Sequence, residues 1–119
     1  MSARAALRRA LVALVVLAPP AGATPPEPEP RVIEITAKRF EYSPSVIKLA
    51  RGKPVIFALR SLDRRHGFSI PEFQLRSDIP AGATVRVPWV PPKAGTFTFQ
   101  CDLFCGSGHE GMNGSIIVE

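Results

Sequence analysis

Proline and glycine interrupt this chain too often for any long helix to fit after its first two dozen residues. Thirteen prolines and nine glycines are spread over 119 residues. A proline inside a helix removes a hydrogen bond and clashes with the preceding turn. The segments between the breaks are short and strand-like. Val32, Ile33 and Ile35 form one run, and Val46, Ile47 and Leu49 another after Ser43-Pro44. Val55 to Leu59 follows Gly52-Lys53-Pro54, and Phe68-Ser69-Ile70 is a brief fourth run. Thr84 to Val90 is rich in β-branched residues, Thr96 to Phe99 alternates strictly, and Ser115 to Val118 closes the chain. Pro80-Ala81-Gly82, Pro91 to Gly95 and Asn113-Gly114 supply turns between them. Short alternating runs at close spacing, punctuated in this way, predict an all-β sandwich or barrel. Glu72 to Ser77 reads as either a helical turn or a loop.

The first 23 residues follow a different pattern. Arg4, Arg8 and Arg9 precede an apolar stretch, Ala10 to Ala18, which Pro19-Pro20 ends. Ala21-Gly22-Ala23 then offers a small-x-small cleavage site. This is the pattern of a secretory signal peptide over 1–23, and the apolar stretch is too short to span a bilayer. Thr24 to Pro30 reads as a proline-rich tether, leaving 31–119 as one domain. Export to the periplasm or beyond follows, with no membrane span after cleavage. Without the three early arginines the net charge falls from +5 to +2. The basic balance therefore belongs partly to the leader. It gives no case for nucleic acid, because no basic run with interleaved aromatics occurs.

The chemistry is concentrated in residues 101–112, Cys-Asp-Leu-Phe-Cys-Gly-Ser-Gly-His-Glu-Gly-Met. Both cysteines of the chain, one of its two histidines and its only methionine besides the initiator lie there. The other histidine is His66. Thiolate, imidazole and thioether are the ligand set of copper electron-transfer sites. Three other uses compete. A structural disulfide is the default for two cysteines in an exported chain, but so short a loop gains little from closure. It also leaves His109, Met112 and the clustered glycines unexplained. A Cys2His2 zinc site would not need Met112. A mononuclear blue-copper site, built from Cys105, His66, His109 and Met112, would leave a spare thiol at Cys101 in an oxidising compartment, where thiols are vulnerable.

Cys101-x-x-x-Cys105-x-x-x-His109-x-x-Met112 before a final strand resembles the CuA motif of cytochrome c oxidase subunit II and nitrous-oxide reductase. His66-Gly67-Phe68-Ser69-Ile70-Pro71 resembles that family's upstream histidine segment. Phe40-x-Tyr42-x-Pro44 and Ile47-x-Leu49-x-x-Gly52 resemble the early strands of cupredoxins. The resemblance spans Val32 to Glu119 and implies a cupredoxin-like Greek-key β-sandwich or barrel. It also implies two copper ions as cofactor. Cys101 and Cys105 would bridge them, and His66 and His109 would bind one each. Met112 would be a weak ligand to one copper, and the carbonyl of Leu103 would serve the other. The implied function is single-electron transfer without a catalytic pocket of the chain's own, as a carrier or as an accessory to a cytochrome c oxidase. The partner would be a c-type cytochrome or a terminal reductase, and the protein a monomer. Copper binding or delivery on the same fold is the alternative. Leu103 replaces a glutamate common in the oxidase family, which leaves only the main-chain ligand there. Phe68, Phe104 and Trp89 are candidates for a hydrophobic shell, and Phe97 and Phe99 for plain core. Arg64 and Arg65 beside His66, facing Asp102 and Glu110, suggest a neutral or acidic partner.

Overall fold

The computed structural model describes residues 11–17, 22, 29–104 and 106–119, and of His109 the backbone alone. The expected leader and tether therefore lie largely outside the described residues. No helix among these is long and apolar enough to cross a membrane.

Nine strands follow one another: β1 (Arg31–Lys38), β2 (Glu41–Ser43), β3 (Val46–Leu49), β4 (Val55–Ser61), β5 (His66–Ile70), β6 (Leu75–Ile79), β7 (Val85–Trp89), β8 (Gly95–Gln100) and β9 (Asn113–Val118). They form two mixed sheets, ordered β2-β1-β4-β7 and β3-β9-β8-β5-β6. β1 runs parallel to β4 and β3 parallel to β9, while the remaining pairs are antiparallel. The expected all-β sandwich is what the chain adopts. Two strands go beyond the sequence reading. β2 lies within the Phe40-x-Tyr42-x-Pro44 pattern. Glu72 to Ser77 divides between a 3-10 turn, Pro71–Phe73, and the first half of β6.

The period-2 pattern explains how the sheets meet. Ile33, Ile35 and Ala37 of β1 point inward, as do Ile47 and Leu49 of β3, Phe97 and Phe99 of β8, and Ile116 and Val118 of β9. β4 buries Val55, Phe57 and Leu59 on one face and Ala58 on the other. Burying each large apolar side chain contributes about 1.5–3 kcal/mol. Rings bridge the two layers. Phe57 of one sheet meets Phe68 of the other at 5.2 Å between centroids, and Phe68 meets Phe99 at 5.4 Å. Phe97 and Phe99 are core residues, as expected.

Three connections share one end of this core. They are the β1–β2 turn with Phe40, the β4–β5 loop leading into His66, and the long β8–β9 connection. β5 and β8 pair through Ser69 and Gln100, which brings Gly67 beside the chain just after Gln100.

Candidate metal centre

His66 opens β5, opposite Ile79, and its side chain is fully buried. Burying an imidazole costs free energy unless its nitrogens find partners. Nε2 has one, at 2.6 Å from Asp63 Oδ1. Nδ1 is buried and has no hydrogen-bond partner among the described residues. An ionised carboxylate can only accept, so the ring proton lies on Nε2. In the neutral ring the Nδ1 lone pair is then available to a metal. A carboxylate behind the second nitrogen is the usual way to fix a metal-binding histidine.

Asp63 is itself held from several sides. Its Oδ2 accepts the Arg39 N–H at 2.8 Å, and its Oδ1 accepts the Arg64 N–H at 2.6 Å. Burial alone pushes its carboxyl up. The two backbone N–H groups and the His66 ring outweigh that and hold it well below the usual carboxylate range. Asp63 is a partner of His66 that the sequence reading misses. An aspartate three residues before a histidine is too common to signal anything.

On the other side of the site, Cys101 is buried at the end of β8. Its N–H donates to the Met112 carbonyl at 3.1 Å, which closes the base of the β8–β9 connection. The Gly67 N–H donates to Cys101 Sγ at 3.3 Å, and Sγ lies 3.2 Å from the Leu103 carbonyl oxygen. Cys101 Sγ and the Leu103 carbonyl thus lie together beside the backbone of Gly67, the residue that follows His66. Met112 is buried in the core at the foot of the same connection. Cys105 lies outside the described residues, as does the side chain of His109. Among the described residues no three His, Cys, Asp or Glu side chains gather around one point. Four of the six expected positions can therefore be located, and they fit a soft metal: a buried nitrogen lone pair, a sulfur, a carbonyl oxygen and a thioether.

Glycines adapt the chain to this crowding. A Cβ at Gly67 would overlap the Asp102 carboxylate. Gly106 and Gly108 have φ of +129° and +102°, which side chains rarely adopt. The Phe40 ring covers both, 3.0 Å from where a Cβ of Gly108 would stand and 3.3 Å from that of Gly106. Tyr42 reaches in from β2, donating its hydroxyl to the Gly67 carbonyl at 2.6 Å.

The aromatic shell differs from expectation. Phe68 is buried directly after His66-Gly67. Trp89 is part-buried and stacks on Phe57, with centroids 5.9 Å apart. Phe104 is 78% exposed, a surface residue of the β8–β9 connection. It borders a shallow depression of about 270 Å³ with Arg64, Arg65 and Leu103. Of the two arginines beside His66, Arg65 is engaged by a carboxylate. Arg65 is bonded to Asp78, and Arg76, which the sequence reading passes over, bonds Asp78 and Asp102.

Comparison with known proteins agrees with this fold. Residues 8–118 match the family model described as a cupredoxin-like domain. Over 92 residues the chain is 27% identical to cytochrome c oxidase subunit 2 of Thermus thermophilus, covering 77% of this chain and 68% of that one. Over 91 residues it is 31% identical to nitrous-oxide reductase of Ralstonia nicotianae, covering 73% of this chain but only 14% of that enzyme. The fold superposes on the crystal structure of the periplasmic domain of cytochrome oxidase subunit II from Bradyrhizobium japonicum with a TM-score of 0.70. That match has 20% identity and covers 78% of this chain and 87% of that one.

Proposed function

The chain belongs to the cupredoxin-like domain family, and on that footing we propose that it carries single electrons through a binuclear copper centre. The ligands are His66, Cys101, Cys105, His109, Met112 and the carbonyl of Leu103. The observation that carries this reading is His66. It is fully buried, with Nε2 bonded to Asp63 and Nδ1 without a partner among the described residues, and its neighbour Gly67 donates to Cys101 Sγ. A disulfide or a simple core histidine would give no reason for that buried lone pair.

Bound copper would supply the one-electron couple, held by Cys101, Cys105, His66, His109, Met112 and the Leu103 carbonyl. The chain's own contribution is position. Asp63 fixes the His66 ring and its tautomer. The Cys101 N–H to Met112 carbonyl bond sets the two ends of the ligand loop against each other. The Gly67 N–H donates to the Cys101 sulfur and fixes its position beside β5. Phe68 and Met112 keep water from the core side. A site held in this way changes little between redox states, which is the requirement for fast electron transfer.

The same reading makes residues 1–23 a leader removed after Ala23 and places 31–119 in an exported compartment. A c-type cytochrome or a terminal reductase would be the redox partner of a monomeric carrier. Copper content and electron paramagnetic resonance of the half-reduced protein test the proposal together. Two coppers per chain, with hyperfine splitting from both nuclei, are expected. One copper with single-nucleus splitting would overturn it. Reversible one-electron cycling without loss of copper to a chelator separates transfer from delivery.

A further inference from the structure

The second residue of the metal loop is an aspartate, and it is not left to water. Arg76 of β6 places a two-pronged grip on Asp102: Nε lies 2.6 Å from Oδ2 and Nη2 lies 3.1 Å from Oδ1. The same Nη2 is 2.7 Å from Asp78 Oδ1, and Arg65 bonds the other oxygen of Asp78. Asp102 stands between Cys101 and Leu103, two of the proposed ligand positions. It fills the space that a side chain at residue 67 would need. The bond to Asp102, and then that to Asp78, raises the Arg76 guanidinium above its ordinary value.

Part-exposed ion pairs contribute little to stability. Fold stability is therefore a weak reason for this grip. Its geometry suits another task. A bidentate arginine fixes a carboxylate in both position and plane, and this carboxylate belongs to the peptide segment that carries Cys101 Sγ and the Leu103 carbonyl. A carboxylate beside a metal pair also favours the more positive, oxidised state, and a guanidinium on top of it cancels that field.

We propose that Arg76 is a positioning and charge-balancing residue of the copper centre, acting through Asp102 on the Cys101–Leu103 segment. The inference rests on the copper reading above and adds to it a residue outside the ligand set. Arg76→Met leaves the Asp102 charge uncompensated, so the midpoint potential falls. Asp102→Asn removes the charge and the potential rises. The double variant returns close to wild type. Arg76→Lys keeps the charge and so recovers most of the potential, but it loses the fork. Transfer of copper to bathocuproine disulfonate is then about two- to fivefold faster, the factor expected from a lost surface pair. Arg65→Met leaves the grip on Asp102 in place and shifts the potential least.

The experiment is voltammetry of the copper-loaded full chain at low ionic strength, with chelator transfer run in parallel. Copper-loaded Arg76→Met and Asp102→Asn at the wild-type potential would overturn the inference while leaving the copper reading intact. Equal falls in Arg76→Met and Arg76→Lys would overturn the charge-balancing role. A wild type that takes up no copper overturns both. Should Arg76→Met fail to fold, Asp102→Asn carries the same test with opposite sign.

Discussion

The two arms of the site are built by different means. The histidine arm belongs to a sheet. His66 is the first residue of β5, paired across to Ile79, and Asp63 grips its ring while taking N–H groups from Arg39 and Arg64. The cysteine arm is a connection between strands. It is closed at its base by Cys101 and Met112, tightened by the Gly111 N–H to Gly108 carbonyl bond at 3.0 Å, and covered by Phe40. The first arm derives its order from a polar cluster that needs no metal. The second, among the described residues, is held by backbone closure and by the Phe40 ring. Changes in the histidine arm should therefore register in the apo-protein, and changes in the cysteine arm in how firmly copper is kept.

Gly67 is the joint between the arms, and disturbing it should have the largest effect. In Gly67→Ala the added methyl overlaps the Asp102 carboxylate and crowds the Asp102 backbone nitrogen. Overpacking at a tight site costs about 1–3 kcal/mol. The hydrogen bond from residue 67 to Cys101 Sγ would be displaced as well. Urea unfolding of the apo-protein measures the first effect and copper uptake the second. An unchanged denaturation midpoint would mean that the arms are not locked at this point.

Phe40→Ala separates the arms. The half-buried ring covers Gly106 and Gly108 of the cysteine arm and packs on the core, so its removal should cost about 1–2 kcal/mol of local order. Amide exchange of residues 106–111 should quicken and copper loss to a chelator should accelerate. The Asp63–His66 bond, followed by the imidazole proton resonances, should stay as it is. Equal loosening of both arms would erase the distinction.

Much of this was open to the sequence, for a physical reason. Soft ligands are few: two cysteines, two histidines and one methionine past the initiator. Any copper site in this chain has to draw on them, so His66, Cys101, Cys105, His109 and Met112 can be named without coordinates. Strands with clean alternation, such as Thr96 to Phe99, are equally plain. β6 is not, because Leu75-Arg76-Ser77-Asp78-Ile79 buries only its last residue fully and alternates weakly. β2 is three residues long. Asp63 and Arg76 stay hidden because charged residues populate every surface. What singles them out is register. The pairings of β5 with β6 and with β8 carry Arg76 to a residue 26 positions away. The exposure of Phe104 is hidden for a similar cause, since a phenylalanine next to a ligand cysteine looks like a cover until the loop's path is known.

The smallest expected effect is a change of slope with pH, and it probes the histidine arm without copper. The folded protein holds Asp63 below its ordinary value of 3.8. A carboxylate whose pKa is depressed on folding adds stability that is fully present above its unfolded value and is lost as pH falls below it toward the folded value. Apo-protein stability should therefore decline below about pH 4, partly through Asp63. Asp63→Asn has no charge to lose, and its carbonyl can still accept a backbone N–H. Its stability should fall less steeply over the same interval, by less than one proton's worth of slope. Urea midpoints at pH 5, 4 and 3 for the two apo-proteins measure the difference. Parallel curves would show that the polar cluster around Asp63 does not favour its ionised form, and the histidine arm would then need the metal for its order as much as the cysteine arm does.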